Sequence, residues 1–202
     1  MALPRSTAAG ITSGVLLLAG VVGFGVGVPE VTGSSSSSSA AVPDLPDGIE
    51  GYTALDAVPA EAAQQLGADP ATSAEQDVNA DKALTEEYGD ASVRYYVDLE
   101  GVEQAAVTGA LGRFSLTVVP GEDDVLPIFG GPYESETYEM RTIDGHRCAV
   151  AWNPPADGSE PTALDYQVEC RQAVDGLVYD ILAQSIAPDE VAALLTEATE
   201  LG

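Results

Sequence analysis

The sequence predicts an α+β domain with a mostly antiparallel sheet of five to six strands, packed helices, one intradomain disulfide and a transmembrane helix ahead of it. Three observations predict this class. Short runs in which apolar and polar residues alternate indicate strands. Asp-Gly pairs between such runs indicate hairpin turns. Amphipathic stretches bounded by proline or glycine indicate helices that pack on the sheet. The chain has 202 residues, which is enough for one domain with flanking segments.

Residues 138–185 are predicted to form four antiparallel strands with one internal cross-link. In the second hairpin of this block, Asp175-Gly176 is a preferred two-residue turn because both positions accept positive φ. That turn places Cys170 opposite Ile181, so that apolar residues face each other across the two strands.

The first hairpin of this block allows two registers. A two-residue loop at Asp144-Gly145 places Arg141 opposite Cys148, whereas a three-residue loop that also includes Ile143 places Met140 there. Because apolar residues are expected to face apolar residues, we predict the three-residue loop.

Cys148 and Cys170 are the only cysteines, and both fall on apolar faces of their predicted strands. A bridge between them closes a loop of roughly twenty residues, which stabilises a fold by on the order of 3 kcal/mol. Redox-active pairs usually have C-x-x-C spacing, which is absent here. We therefore predict a structural disulfide.

Helices and strands on either side of this block complete the predicted domain. Two overlapping capping boxes, Thr72 with Glu75 and Ser73 with Gln76, indicate that the longest helix begins near Ser73. The predicted helices are 59–66, 73–88, 102–108 and one that opens at Pro188, and the predicted strands are 92–99 and 113–119, with a short extended piece at 125–129.

The N-terminal part of the chain carries a targeting signal. Residues 8–28 contain no charged side chain and are about long enough to cross a bilayer. Arg5 precedes this span and Glu30 follows it, which predicts an N-terminus inside the cell. The predicted regions are a cytoplasmic N-terminus at 1–7, a transmembrane signal-anchor or signal peptide at 8–28, a Ser/Pro-rich linker at 29–51 and an extracytoplasmic α+β domain at 52–202.

The predicted location follows from this signal. A retained span gives a single-pass protein of the cell membrane whose C-terminal domain lies outside the cytoplasm, and the serine-rich stretch then serves as a spacer. The alternative is a secreted protein whose signal has been cleaved.

The charge of the chain excludes one class of partner. There are 33 acidic and 7 basic residues, for a formal net charge of -26. Such a surface repels phosphate backbones, so we predict no nucleic-acid partner.

Residues suited to catalysis or metal binding are few, and we predict no catalytic, cofactor or metal site. His146 is the only histidine and lies beside a predicted turn, without a motif that would make it a catalytic base. Asp77, Asn79 and Asp81 match the first three ligands of a calcium loop, but the later positions hold Lys82 and Tyr88. Glu122-Asp123-Asp124 is a second, weaker cation candidate.

Several short segments, read together, carry a family resemblance. They are Leu84-Thr-Glu-Glu-Tyr88-Gly89, Val93-Arg94-Tyr95-Tyr96-Val97-Asp98, Asp144-Gly145-His-Arg-Cys148, Val168-Glu-Cys170-Arg171, Asp175-Gly176-Leu177 and Asp189-Glu190-Val191-Ala-Ala-Leu194-Leu195. In these segments the chain resembles membrane-anchored extracytoplasmic proteins of high-GC actinobacteria. The resemblance implies an N-terminal span, a low-complexity linker and a small α+β domain with two cysteines, and it implies no activity.

Two functions are compatible with these observations. The first is a non-catalytic envelope domain, tethered outside the membrane, that binds an envelope protein or a ligand. The alternative is an extracytoplasmic hydrolase that uses acidic residues. A shallow surface with exposed aromatic residues such as Tyr95 and Tyr96 favours binding, and a polar cleft with two close carboxylates favours the enzyme.

Overall fold

The structure, a computed structural model, describes residues 41–102, 105, 108, 110–122 and 137–201. These residues form an α+β fold with one antiparallel sheet. The sequence predicted five to six strands, and the described residues contain eight, in the order β1-β2-β3-β4-β8-β7-β6-β5. The strands are β1 (Gly48–Ile49), β2 (Tyr52–Ala54), β3 (Ser92–Asp98), β4 (Arg113–Pro120), β5 (Thr137–Ile143), β6 (His146–Trp152), β7 (Tyr166–Val174) and β8 (Leu177–Gln184).

The two strands absent from the prediction are β1 and β2. They contain two and three residues, which is too short to show a period-two pattern. Leu45 and Ile49 nevertheless belong to the main hydrophobic core. The described part of the segment predicted as a linker therefore contributes to the domain.

Three helices have both ends within the described residues: α1 (Ala60–Leu66), α2 (Pro70–Tyr88) and α3 (Pro188–Thr199). Helix α2 begins three residues earlier than predicted, because Asp69 caps it by accepting a hydrogen bond from the Ala71 backbone N–H. The prediction that the capping boxes at Thr72 and Ser73 mark the start of this helix is thus wrong. Val102, Ala105 and Thr108 are helical, in agreement with the prediction for that stretch.

Helix α3 packs on strands β6, β7 and β8, and we call this side of the sheet the apolar face. Proline at its first turn and Asp189 and Glu190 beside it favour the helix start. Its buried stripe meets the inward side chains of the strands in a single core. That core includes Tyr96, Phe114, Leu116, Val118, Val150, Val168, Ile181, Val191, Leu194, Leu195 and Ala198.

The cross-linked block 138–185 is confirmed as the four strands β5–β8. Cys148 and Cys170 lie directly opposite each other on β6 and β7 and form a disulfide, with their Cα atoms 4.2 Å apart. Cys170 also pairs with Ile181 on β8, as predicted, across the two-residue turn at Asp175-Gly176. Both turn residues have positive φ, 52° and 84°.

The register predicted for the first hairpin is wrong. Ile143 pairs with His146, so the loop contains only Asp144 and Gly145, and Arg141 lies opposite Cys148. Met140 instead points to the other face. Strand β5 is the last of the described strands in the sheet and has no buried residue, so matching apolar residues did not determine its register. Arg141 is accommodated on the apolar side at this end, 5.3 Å from the centre of the Trp152 ring.

The other side of the sheet, which we call the polar face, is covered only in part by helices. At the β3 end, Val97 packs with Val58 and Ala63 of the α1 region in a second, smaller core. Helix α2 packs against β3, β4 and the 3-10 turn Leu55–Ala57. Over β6, β7 and β8 this face carries the charged residues Arg147, Glu169, Arg171 and Asp180 together with small or apolar ones such as Ala149 and Val178.

Four predictions concern residues outside the described ones: the cytoplasmic N-terminus at 1–7, the transmembrane segment at 8–28, the linker as far as residue 40 and the extended piece at 125–129. Within the part of the chain that the structure describes, no helix is both long enough and apolar enough to cross a membrane.

Candidate functional site

Three charged residues meet on the polar face of the two central strands. Glu169 and Arg171 come from β7, and Asp180 comes from β8 directly opposite Arg171. Arg171 Nε donates a hydrogen bond to Asp180 Oδ2 at 3.1 Å, and Arg171 Nη2 donates to the same oxygen. Arg171 Nη2 also lies 3.9 Å from Glu169 Oε1. We call Glu169, Arg171 and Asp180 the central charged cluster.

Burial controls the protonation of this cluster. Glu169 is only 6% exposed, and its burial, together with the charge of Asp180, raises the pKa of Glu169 to about 9 against the opposing effect of Arg171. Burial also raises the pKa of Asp180, while the Arg171 guanidinium lowers it. Asp180 accepts the arginine hydrogen bonds, so we assign the proton to Glu169 at neutral pH. The cluster is then neutral overall.

The central charged cluster is compatible with two roles, acid catalysis and stabilisation of the sheet. A protonated Glu169 next to an ionised Asp180 is the pair that general acid catalysis uses. However, one oxygen of Asp180 is held by Arg171, and Asp180 Oδ1 is buried without a hydrogen-bond partner among the described residues. A neutral ion pair with an adjacent neutral acid can equally have a structural role in a buried sheet.

Asp77, the first residue of the calcium-like pattern, lies on α2 and is 8% exposed. Neither of its carboxylate oxygens has a hydrogen-bond partner among the described residues. Burial raises the pKa of Asp77 to about 7, with Asp56 adding to the effect and Arg94 opposing it. Asn79 is exposed, and Asp81 accepts a hydrogen bond from the Val93 backbone N–H at 2.6 Å.

The calcium-like residues do not converge on one point. They alternate along a helix, where positions two apart face different directions. In the described part of the chain, no group of three His, Cys, Asp or Glu side chains is placed to hold a metal ion. Of the second cation candidate, Glu122 is exposed and Asp123-Asp124 lie outside the described residues.

Arg94 organises the N-terminal end of the domain. It donates two hydrogen bonds to Asp56 at 2.9 and 2.8 Å, one to Asp47 and one to the Leu45 carbonyl. Tyr96, on the same strand, donates to the Pro46 carbonyl at 2.9 Å. These bonds join the segment before β1 to the sheet, so we interpret Arg94 as a structural residue.

His146 is buried at the start of β6. Its Nε2 lies 2.8 Å from Thr196 Oγ1 on α3, which connects the strand to the helix. Its Nδ1 has no hydrogen-bond partner among the described residues. The two cysteines are joined in the disulfide and supply no thiol. The structure therefore does not combine the histidine with a cysteine nucleophile.

The polar face ends in an exposed patch at β5 and β6. Tyr138 and Met140 are 45% and 47% exposed, and Arg147 on the adjacent strand is also exposed. The register places Ala151 opposite Tyr138 and Ala149 opposite Met140, and both alanines are buried. We call Tyr138, Met140 and Arg147 the end-sheet patch.

The aromatic pair considered in the sequence does not form such a surface. Tyr96 is fully buried and stacks on Phe114, with ring centroids 4.8 Å apart. Tyr95 is half-buried, and burial raises the pKa of its phenol, with the nearby charge of Asp77 contributing.

Sequence reasoning missed the central charged cluster because the alternation of apolar and polar residues in β7 predicts a strand with one buried face, on which Glu169 and Arg171 would face solvent. A signal for the opposite interpretation was present. In β8, Asp180 is the single charged residue within an otherwise apolar run, and such runs are typical of strands that are buried on both faces.

A comparison with known proteins finds no family model, no curated protein and no solved structure that matches this chain.

Proposed function

We propose that this chain is a non-catalytic domain of the cell envelope, tethered to the membrane outside the cytoplasm, that binds a protein or a ligand through the end-sheet patch. The observation that carries the proposal is the exposure of Tyr138 and Met140 beside Arg147 on one face of the sheet. Tyrosine, methionine and arginine are the residue types enriched in protein interfaces.

The distribution of charge indicates which partners the end-sheet patch could select. In a chain with 33 acidic and 7 basic residues, Arg147 is an exposed cation on the same face as Met140, two positions from it in the β5–β6 register. A partner with an apolar group and a neighbouring carboxylate would match this combination. The strongly acidic remainder of the surface opposes other anionic partners.

The proposed location rests on the uncharged segment 8–28 between Arg5 and Glu30. Protease added to intact spheroplasts should degrade the domain while cytoplasmic controls survive. Protection of the domain until the membrane is lysed would contradict this topology.

The binding proposal is tested by photo-cross-linking of the full chain in cells. A photoreactive residue at position 140 should give adducts with a defined partner, and Arg147→Glu in the same chain should reduce their yield. A photoreactive residue at Val78 is the matched control, because Val78 is 65% exposed and lies on helix α2, away from the patch. Equal adducts at both positions, or none at position 140, would contradict the proposal.

A second candidate function, an extracytoplasmic hydrolase, is favoured by one observation: Glu169, with its pKa raised to about 9 by burial, lies beside Asp180. The test is hydrolysis of a panel of chromogenic glycosides and esters. Activity that is present in the wild type, lost in Glu169→Gln and Asp180→Asn, and retained in Arg147→Gln would support the enzyme. No hydrolysis by the wild type would favour the binding proposal.

A further inference from the structure

Strand β5 stands at one end of the sheet. Within the described residues it pairs with β6 on one side, and no strand pairs with it on the other. Its seven residues, Thr137–Ile143, are all partly or well exposed. An edge strand of this length is a template for pairing with another extended segment.

The register shows which backbone groups of β5 point outward. Ile143 and His146 flank a two-residue turn and therefore exchange backbone hydrogen bonds, as do Arg141 and Cys148 two positions along. The 4.2 Å Cα–Cα distance between Cys148 and Cys170 agrees, because it is the short spacing of a pair without mutual backbone hydrogen bonds. The backbone N–H and C=O groups of Met140 consequently point away from β6.

The charges on β5 are arranged symmetrically about Met140. Glu139 precedes it, Arg141 follows it, and three residues of the strand lie on each side. If a second copy of β5 pairs antiparallel with Met140 opposite Met140, Glu139 of each copy lies opposite Arg141 of the other. We propose that the partner of this edge is a second copy of the chain, and that two sheets join through β5 into one continuous sheet.

The side chains are available for this pairing. The side chains of Glu139 and Arg141 are 43% and 38% exposed, and within one chain they already form an ion pair. In the paired strands, the position opposite each of them has no mutual backbone hydrogen bonds, which brings the side chains close together. Two copies then form a ring of four alternating charges. Charges on an edge usually prevent strand addition, and this pattern excludes segments without the complementary sequence while matching a second copy.

This inference deepens the proposed function and rests on it, because the joined edge brings the two end-sheet patches together at Met140. A single strand pair buries little area, so the association is weak in solution. Anchoring of both copies in one membrane would raise their effective concentration.

The test is sedimentation velocity of the full chain in detergent at about 0.15 M salt, where the Debye length of about 8 Å screens the net negative charge. The wild type should dimerise. Glu139→Arg and Arg141→Glu should each weaken the dimer by about tenfold or more, since each places like charges opposite each other twice. The double variant Glu139→Arg/Arg141→Glu should restore the wild-type constant to within about threefold.

A mixture of the two single variants provides a second test. One chain then carries two positive charges around Met140 and the other carries two negative charges, so the mixture should form mixed dimers at concentrations at which each variant alone is mainly monomeric. Circular dichroism controls for folding of every variant. A monomeric wild type, or a dimer that neither charge reversal affects, overturns the inference. Adducts with a different protein at position 140 in a monomeric chain would leave the proposed function intact, whereas a monomer without adducts would overturn both.

Discussion

The two faces of the central strands β7 and β8 are buried by opposite means. On the apolar face, Cys170 and Ile181 are fully buried against the helix α3 core. On the polar face, the adjacent pair of the register, Arg171 and Asp180, forms an ion pair beside the buried Glu169. The same strands therefore contribute an apolar core and a charged cluster at once.

The difference between the faces determines how each responds to pH. Around the disulfide, the apolar face is built from cysteine and aliphatic side chains such as Val150, Val168 and Ile181, which do not titrate. The polar face contains Glu169 and Asp180, whose pKa values are raised by burial. Asp77 on α2 is a further buried carboxyl with a raised pKa. We infer that these carboxyl groups make the largest contribution to the pH dependence of stability and that the disulfide itself contributes none of it.

The largest predicted effect is a loss of stability as the pH rises. A carboxyl group whose pKa is raised in the folded state binds more protons there than in the unfolded chain, so stability is highest below the unfolded pKa and falls up to the folded pKa. For Asp77 the window runs from 3.8 to about 7, and for Glu169 from 4.5 to about 9. Between pH 5 and 8 the contribution of Asp77 to the free energy of unfolding should decrease by roughly 3 kcal/mol, and Glu169 should add a further decrease in the same direction.

Urea unfolding, followed by fluorescence of the single Trp152, measures this dependence. Asp77→Asn should raise stability at pH 8 and have little effect at pH 4, and Glu169→Gln should do the same over its wider window. Glu75→Gln is the matched control, since Glu75 is exposed on the same helix as Asp77. A wild type that becomes more stable between pH 5 and 8 would show that these carboxyl groups are ionised and well compensated in the folded state.

The second predicted effect concerns the apolar face. Cys148 and Cys170 are separated by 22 positions in the sequence, and their bridge stabilises the fold by about 3 kcal/mol in the chain-entropy model. The double change Cys148→Ala, Cys170→Ala should lower the free energy of unfolding by that amount at both pH 5 and pH 8. A loss of stability that depends on pH would show that the disulfide is coupled to the carboxyl groups of the polar face, and would contradict the independence of the two faces.

Labelling with a thiol reagent is the direct check on this bridge. The native oxidised chain should show no reactive thiol, and both cysteines should react after unfolding under reducing conditions. Thiols that react in the native chain, or a bridge between two chains, would contradict the pairing of β6 with β7.

The two hairpins show how far the sequence predicts this fold. Both hairpins have a two-residue Asp-Gly turn. The β7–β8 register was predicted correctly because residues such as Cys170 and Ile181 are buried, and a one-residue slip would expose them. The β5–β6 register was wrong because β5 buries nothing, so Arg141 could take the position expected for Met140. Apolar matching predicts register only where a strand has a buried face.

The charged residues were harder to predict for a related reason. Hydrophobic alternation assigns a charged residue to the solvent side, and Glu169 and Asp77 are both buried. Their surroundings include residues distant in the sequence, Asp180 near Glu169 and Arg94 near Asp77, which a single strand or helix does not reveal. The disulfide was predictable because both cysteines lie on alternating apolar strands.

The smallest predicted effect tests the register at the end of the sheet. Met140 is 47% exposed on the polar side, so Met140→Ala should change the free energy of unfolding by no more than about 0.5 kcal/mol. Ile181→Ala is the matched comparison, because Ile181 is fully buried opposite Cys170 and its truncation should cost about 2–5 kcal/mol. Under the three-residue loop, Met140 would lie beside the disulfide, and its truncation would cost nearly as much as that of Ile181. Equal losses in the two variants would therefore restore that register, and with it would remove the outward backbone groups on which pairing through β5 depends.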